Sequence, residues 1–265
     1  MNLELEGRAA IVTGGSRGIG KAIARELAHE GVDVAIVARG QKALSEAAAQ
    51  LAEETGRRIL PIPTDTGDLD SIRSMVERVH QELGRIDILV NNAAAPGGGP
   101  VPTHAELTQD HFDADMNIKV MGYLRCAQAV APIMQAQRWG RIINISGLAA
   151  RMSGSIIGSM RNVSVAAMTK NLADMLGPDG INVTVVHPGG TRTERTGEFI
   201  KKQAADQNVP ESEIEEQLDG SNSIRHFVDA HEVAWVVAFL CSPKSISING
   251  DAIAVGGGLG HAIHY

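Results

Sequence analysis

The chain has 265 residues and a formal net charge of −7; 43% of its residues are hydrophobic and only 3% aromatic. That is ample apolar material for a sheet buried on both faces, with a core of Ala, Val, Ile and Leu. Scarce rings and an acidic balance argue against a stacking platform for carbohydrate or single-stranded nucleic acid, and against nucleic acid as a partner. Cys126 and Cys241 are far apart and form no C-x-x-C pair, and the nine histidines include no H-E-x-x-H. Neither a disulfide framework nor a metal site is expected. Residues 1–15 carry Glu4, Glu6 and Arg8 and no signal-like apolar core, and the longest strongly apolar stretch, 233–241, is too short to cross a bilayer. A soluble, cytoplasmic protein without a membrane partner is expected.

Short β-branched runs alternate with longer helical patterns. A strand over 8–13 leads into a helix over 19–30. Strands over 32–37 and 58–62 are followed by helices over 42–55 and 69–83. After a strand over 86–91, a helical stretch runs to about residue 138 with a break near Asp115. A strand over 141–146 precedes a helix reaching about residue 176, and a strand over 181–186 follows. Residues 193–225 are polar and the least regular part. A helix over 232–240 and a strand over 251–255 complete the pattern. Strand–helix alternation with continuous apolar strands predicts βαβ units: an α/β, Rossmann-type, doubly wound parallel sheet of about seven strands with helices on both faces. The whole of 1–265 reads as one such domain. Because 193–225 follows a strand's C-terminal end, where ligands bind in these sheets, it is expected to be a substrate lid; the alternative is a decorative insertion.

The first strand runs into Thr13-Gly14-Gly15-Ser16-Arg17-Gly18-Ile19-Gly20 and then a helix. Gly14 suits a tight turn, Gly18 a close approach of backbone to a diphosphate, and Gly20 close contact of helix and strand. The helix N-terminus offers free N–H groups and the positive end of its dipole. This octapeptide resembles the glycine motif of the short-chain dehydrogenase/reductase family, and further segments match that family in order along essentially the whole chain. Asp65-Thr66 resembles its adenine-contacting pair. Asn91-Asn92-Ala93-Ala94 resembles its N-N-A-G, with Ala94 for Gly. The segment Pro188-Gly189 through Thr191 to Thr193 resembles the one that holds the nicotinamide carboxamide. The resemblance implies NAD(P)(H) as cofactor. An NAD-binding chain places an acid at the end of the second strand; here Ala38 stands there, Arg39 follows, and Arg17 lies in the glycine loop. Two guanidinium groups and no acid favour NADP(H) over NAD(H). The alternative is that Arg39 is solvated and Arg17 only caps the loop.

The family's catalytic set is a Tyr, a Lys four residues later, a Ser and an Asn. This chain departs from it. Its two tyrosines, Tyr123 and Tyr265, begin no Y-x-x-x-K. Counted from Thr169-Lys170, the Lys position falls on Asn162 and the Tyr position on Gly158. Counted from Gly140, the Ser position falls on Gly147, beside Ser146, and the Asn position on Lys119, with Asn117 nearby. A gap between Gly147 and Gly158 moves these assignments by one or two residues without restoring the pair. The resemblance thus suggests an exchange: Lys119 supplies the cation and Asn162 the anchor, while Ser159, Ser155 or Ser146 holds or protonates a substrate oxygen. The competing account is coincidence, with Lys119 snorkelling to solvent and Asn162 capping a helix. His187 reads as a hydrogen-bonded structural residue rather than an acid, and Arg151 and Arg161 as either anchors for an acidic substrate or surface ion pairs.

Two functions follow. One is an oxidoreductase moving hydride between the nicotinamide and a carbonyl or alcohol of a small molecule, with non-standard acid–base residues. The other is a non-catalytic dinucleotide-binding protein, a sensor or assembly partner. The family's habit of associating through two long helices, here around 121–137 and 163–176, implies a homo-oligomer, a tetramer or dimer.

Overall fold

The computed structural model describes residues 1–94 and 102–260. Seven parallel strands form one sheet in the order β3-β2-β1-β4-β5-β6-β7. They are β1 (Ala9–Thr13), β2 (Asp33–Ala38), β3 (Ile59–Pro63), β4 (Ile88–Asn91), β5 (Gly140–Ile145), β6 (Ile181–Pro188) and β7 (Ala252–Val255). β1, β4, β5 and β6 are buried at every position, which explains their largely apolar sequences; the polar side chains among them, such as Arg141, Asn144, Asn182 and Thr184, are buried as well. One face carries α1 (Gly18–His29), α2 (Gln41–Thr55) and α9 (Ala230–Cys241), through residues such as Ile23, Leu27, Leu44 and Val237. The other carries α3 (Leu69–Leu83), α5 (Gly122–Gln137) and α6 (Ile156–Leu176), through Ile72, Met75, Val130 and Ala173. The doubly wound α/β expectation therefore holds. The order of strands reverses between β1 and β4, and the crevice at their C-terminal ends is where such sheets take ligands.

Three local features differ from the sequence reading. The break expected near Asp115 is a change of helix type: α4 (Gln109–Asp115) continues through a π-helical stretch, Met116–Met121, into α5. Lys119 lies on that stretch and is buried, so it does not snorkel to solvent. The helix after β5 does not begin at once. A 3-10 turn, Leu148–Arg151, and a short loop precede α6, whose N-cap is Ser155, its side chain accepting from the Gly158 N–H at 3.0 Å. Asn162 lies two turns inside α6 and caps nothing. Finally, the polar segment 193–225 is not irregular: it holds α7 (Thr196–Gln207) and α8 (Glu211–Asp219), clasped around Ile200, Ala204 and Ile214. Each is amphipathic with a narrow apolar stripe, which is why composition alone read as loop.

Candidate active site

The turn after β1 is shaped by its glycines. Gly14 and Gly18 have φ of 68° and 57°, values that favour glycine. A Cβ on Gly20 would overlap the Gly14 carbonyl oxygen and the Asn92 amide, so α1 meets the turn on bare backbone. Asn92 fastens the arrangement, its side-chain amide donating to Thr13 O (3.1 Å) and Gly14 O (3.3 Å). Thr13 Oγ1 accepts from the N–H groups of Asn92 (2.9 Å) and Ala93 (3.0 Å). A Cβ-free cradle at the N-terminus of α1 fits a diphosphate.

Beside it opens a recess of about 440 Å³ whose walls include Gly14, Ser16, Arg17, Arg39, Asp65, Thr66 and Ala93. Residues from the ends of β1 to β4 thus converge on one recess. Asp65 Oδ1 is committed to the Gly67 N–H at 2.8 Å, which shapes the loop. Neither Arg17 nor Arg39 has an ion-pair partner among the described residues. Two such guanidinium groups in one recess suit an anionic ligand.

A second cavity, about 580 Å³, lies on the other side of Asn92. It is lined by Ile19, Lys119, Ser146, Asn162, Pro188 and Gly189, with an apolar wall from Leu148, Met152 and Leu259. Lys119 is 4% exposed, and its Nζ donates to Ser146 O at 2.9 Å. Burial, then the nearby Arg161 guanidinium, pushes the amine down to about 7, against an opposing pull from Asp115. Arg161 and Asp115 pair directly. Ser146 Oγ donates to the Asn162 main-chain oxygen at 3.1 Å. The Asn162 side-chain oxygen is buried and has no partner among the described residues. Lys119, Ser146 and Asn162 therefore meet in one cavity although three elements carry them. An amine near neutrality and an unsatisfied amide oxygen give that cavity both a proton carrier and an acceptor.

Other candidates lie elsewhere. Ser159 Oγ donates to Met152 O at 3.0 Å, and Ser159 is absent from the cavity wall. Ser155 lines the cavity, but its oxygen is the cap of α6. Thr191 Oγ1 donates to Gly189 O at 3.0 Å, and the Thr193 N–H donates to Thr196 Oγ1 at 2.9 Å, so both shape the turn after β6. Asn117 holds Arg125 at 2.8 Å. Buried His187 accepts weakly from the Gly147 N–H at 3.4 Å, and burial pushes its imidazole down to about 4, so it stays neutral and is no proton donor near pH 7. Arg151 donates to Ala252 O at 3.3 Å. Tyr123 is structural: its hydroxyl donates to Ile145 O at 2.9 Å, and burial raises the phenol far above its usual range. Tyr265 lies outside the described residues.

Sequence reasoning missed Asp115, whose charge reaches Lys119 through space, and the apolar wall. It also missed Glu194 and Arg195. The Gly18 N–H donates to both Glu194 carboxylate oxygens, at 2.9 and 3.1 Å, and Arg195 lines the recess that holds Arg17 and Arg39. No motif marks these residues, since 176 positions separate Gly18 from Glu194.

A family model described as enoyl-(acyl carrier protein) reductase matches residues 14–260. Staphylococcus aureus 3-oxoacyl-[acyl-carrier-protein] reductase FabG is 31% identical over 95% of this chain and 98% of its own length. Among solved structures, L-sorbose reductase from Gluconobacter frateurii, complexed with NADPH and L-sorbose, superposes with a TM-score of 0.91 at 30% identity, covering 98% of both chains. NAD+-bound xylitol dehydrogenase gives 0.86 at 26% identity, covering 96% of this chain and all of that one. These likenesses favour the enzyme over the sensor. The cradle on α1, the recess beside it and the match along nearly the full chain lead to one assignment: the chain belongs to the short-chain dehydrogenase/reductase family and is an NAD(P)-dependent oxidoreductase.

Proposed function

We propose that the chain transfers hydride between NADP(H) and the carbonyl or alcohol carbon of a small molecule, with Lys119 carrying the proton exchanged with the substrate oxygen. The observation behind this reading is the buried amine of Lys119 in the same cavity as Ser146 and Asn162. When bound, the nicotinamide supplies or accepts the hydride. The protein's own residues do the rest. Gly18 and Ile19, the first residues of α1, present its N-terminal end to the diphosphate beside Ser16, and Asp65, Thr66 and Ala93 wall the adenosine side. Pro188, Gly189, Thr191 and Thr193 shape the nicotinamide side. Arg17 and Arg39 support a 2′-phosphate and hence NADP(H) over NAD(H). Lys119 Nζ holds the proton for the substrate oxygen, Ser146 and Asn162 fix the surroundings of that oxygen, and Leu148, Met152 and Leu259 exclude water. A phenol is not needed for this, because an amine near neutrality has the matched acidity that a general acid requires. The segment 193–225 acts as the lid on this cavity.

The test is single-turnover reduction of a carbonyl panel with NADPH, beside direct measurement of NADPH and NADH affinity. Lys119→Ala should lose about 10²- to 10⁴-fold in hydride transfer while keeping nucleotide affinity. Reduction by the parent chain should fall as pH rises through about 7, since the acid form is consumed there. Unchanged turnover in Lys119→Ala, or a preference for NADH, overturns the corresponding part of the proposal.

Association into dimers or tetramers is also proposed, supported by exposed Met160, Val163 and Met175 along α6. A 28 kDa species as the sole component in gel filtration refutes it. Among the described residues no helix is long and apolar enough to cross a membrane.

A further inference from the structure

The turn between β6 and α7 brings two opposite charges to the nucleotide groove. Glu194 places its carboxylate on the Gly18 N–H, with both oxygens within 3.1 Å. Gly18 is the first residue of α1, and no side chain from the neighbouring Arg17 caps that end. The carboxylate therefore takes the donor and the positive dipole end that the glycine turn offers to a diphosphate. The next residue, Arg195, lines the recess shared by Arg17 and Arg39. Arg195 forms no side-chain hydrogen bond or ion pair among the described residues, whereas its neighbour Arg192 approaches both Asp219 and Asp229. The Arg192–Asp229 backbone bridge fixes the turn on one side, and α7 begins directly on the other. The pair thus sits on the first residues of the segment proposed above as a lid.

We propose that Arg195 is a third guanidinium of the nucleotide site, and that Glu194 is an internal anion which must leave Gly18 before a diphosphate can take that N–H. The two cannot share one donor, so nucleotide binding and release of the Glu194 carboxylate from Gly18 are a single event. Arg195, one residue from the displaced carboxylate, then supplies a compensating positive charge to the nucleotide's anionic side. The inference rests on the dinucleotide site but not on Lys119 or on any reaction.

Affinity for NADPH, measured by its fluorescence change on titration, tests it without reference to turnover. Glu194→Gln keeps a hydrogen-bond acceptor and loses the charge; it should bind NADPH about two- to fivefold more tightly than the parent, the scale of one charge at a helix end. Glu194→Ala, which frees the donor, should tighten binding at least as much. Arg195→Gln should weaken it by about tenfold, as expected for loss of one charge-assisted contact to phosphate. Far-UV circular dichroism of each variant establishes that it is folded. Equal or weaker binding by both Glu194 variants, or unchanged binding by Arg195→Gln, overturns the proposal while leaving the site intact. Failure of every chain, parent included, to bind NADPH overturns the site itself.

Discussion

Replacing Lys119 with Met removes a charge from a place where the fold resists one, and the effect on stability can be worked out. The amine falls from 10.5 to about 7 because burial disfavours the ammonium. At about 1.36 kcal/mol for each tenfold change in proton affinity, that drop corresponds to about 5 kcal/mol of destabilisation when the side chain is fully charged in both states. The sign follows from proton counting. Between about pH 7 and 10.5 the unfolded chain holds the proton more often than the folded one, so stability rises with pH across that window. Below about 7 the penalty is complete, and above 10.5 it is gone. Methionine is of similar length and carries no charge, but it gives up the hydrogen bond to Ser146 O, worth about 1 kcal/mol or somewhat more because it is charged. Lys119→Met should therefore be more stable than the parent by about 2–4 kcal/mol near pH 7, while losing hydride transfer. Urea denaturation of both chains at intervals from pH 6.5 to about 10 reads the difference directly. The gap should narrow and then reverse slightly at the alkaline end. A gap that is independent of pH, or a variant less stable throughout, refutes the account of Lys119 as a strained, near-neutral amine.

Two further outcomes are expected. Asp115 pulls the Lys119 amine upward, so Asp115→Asn should move the midpoint of the pH–rate profile for reduction below about 7; an upward move contradicts the assignment. Gly20→Ala places a methyl group against the Gly14 carbonyl and the Asn92 amide; it should cost about 1–3 kcal/mol in denaturation and weaken NADPH binding sharply, because overpacking displaces the cradle itself.

The fold was legible because its strands are buried on both sides and its helices separate them regularly. The run Ala9–Thr13 is apolar up to its last residue, and Ile181–Pro188, although Asn182 and Thr184 interrupt it, is dense in β-branched residues. The nucleotide side was legible for a related reason: Gly14, Gly18 and Gly20 are demanded by backbone geometry within one short turn. The substrate side depends on contacts between distant segments, and spacing carries little of that. Lys119 and Asn162 could be picked out only by counting against a family pattern that the chain does not keep. Nothing in the order of residues says that Ser159 turns to Met152 O, or that Asp115, paired with Arg161, pulls the Lys119 amine upward. Segment 193–225 misled for another reason. Two short helices that bury little more than Ile200, Ala204 and Ile214 leave a polar composition, and polarity without a long repeat reads as loop.

The π-helical stretch Met116–Met121 has an evolutionary corollary. Each residue of an α-helix turns the chain by about 100° and a π turn accommodates one residue more than an α turn. Losing a single codon there would restore an ordinary helix and swing a different side chain toward Ser146. Chemistry on this scaffold can therefore be gained or abolished by a one-residue indel with every functional group still present in the gene, a change that substitution-based comparisons of active sites overlook.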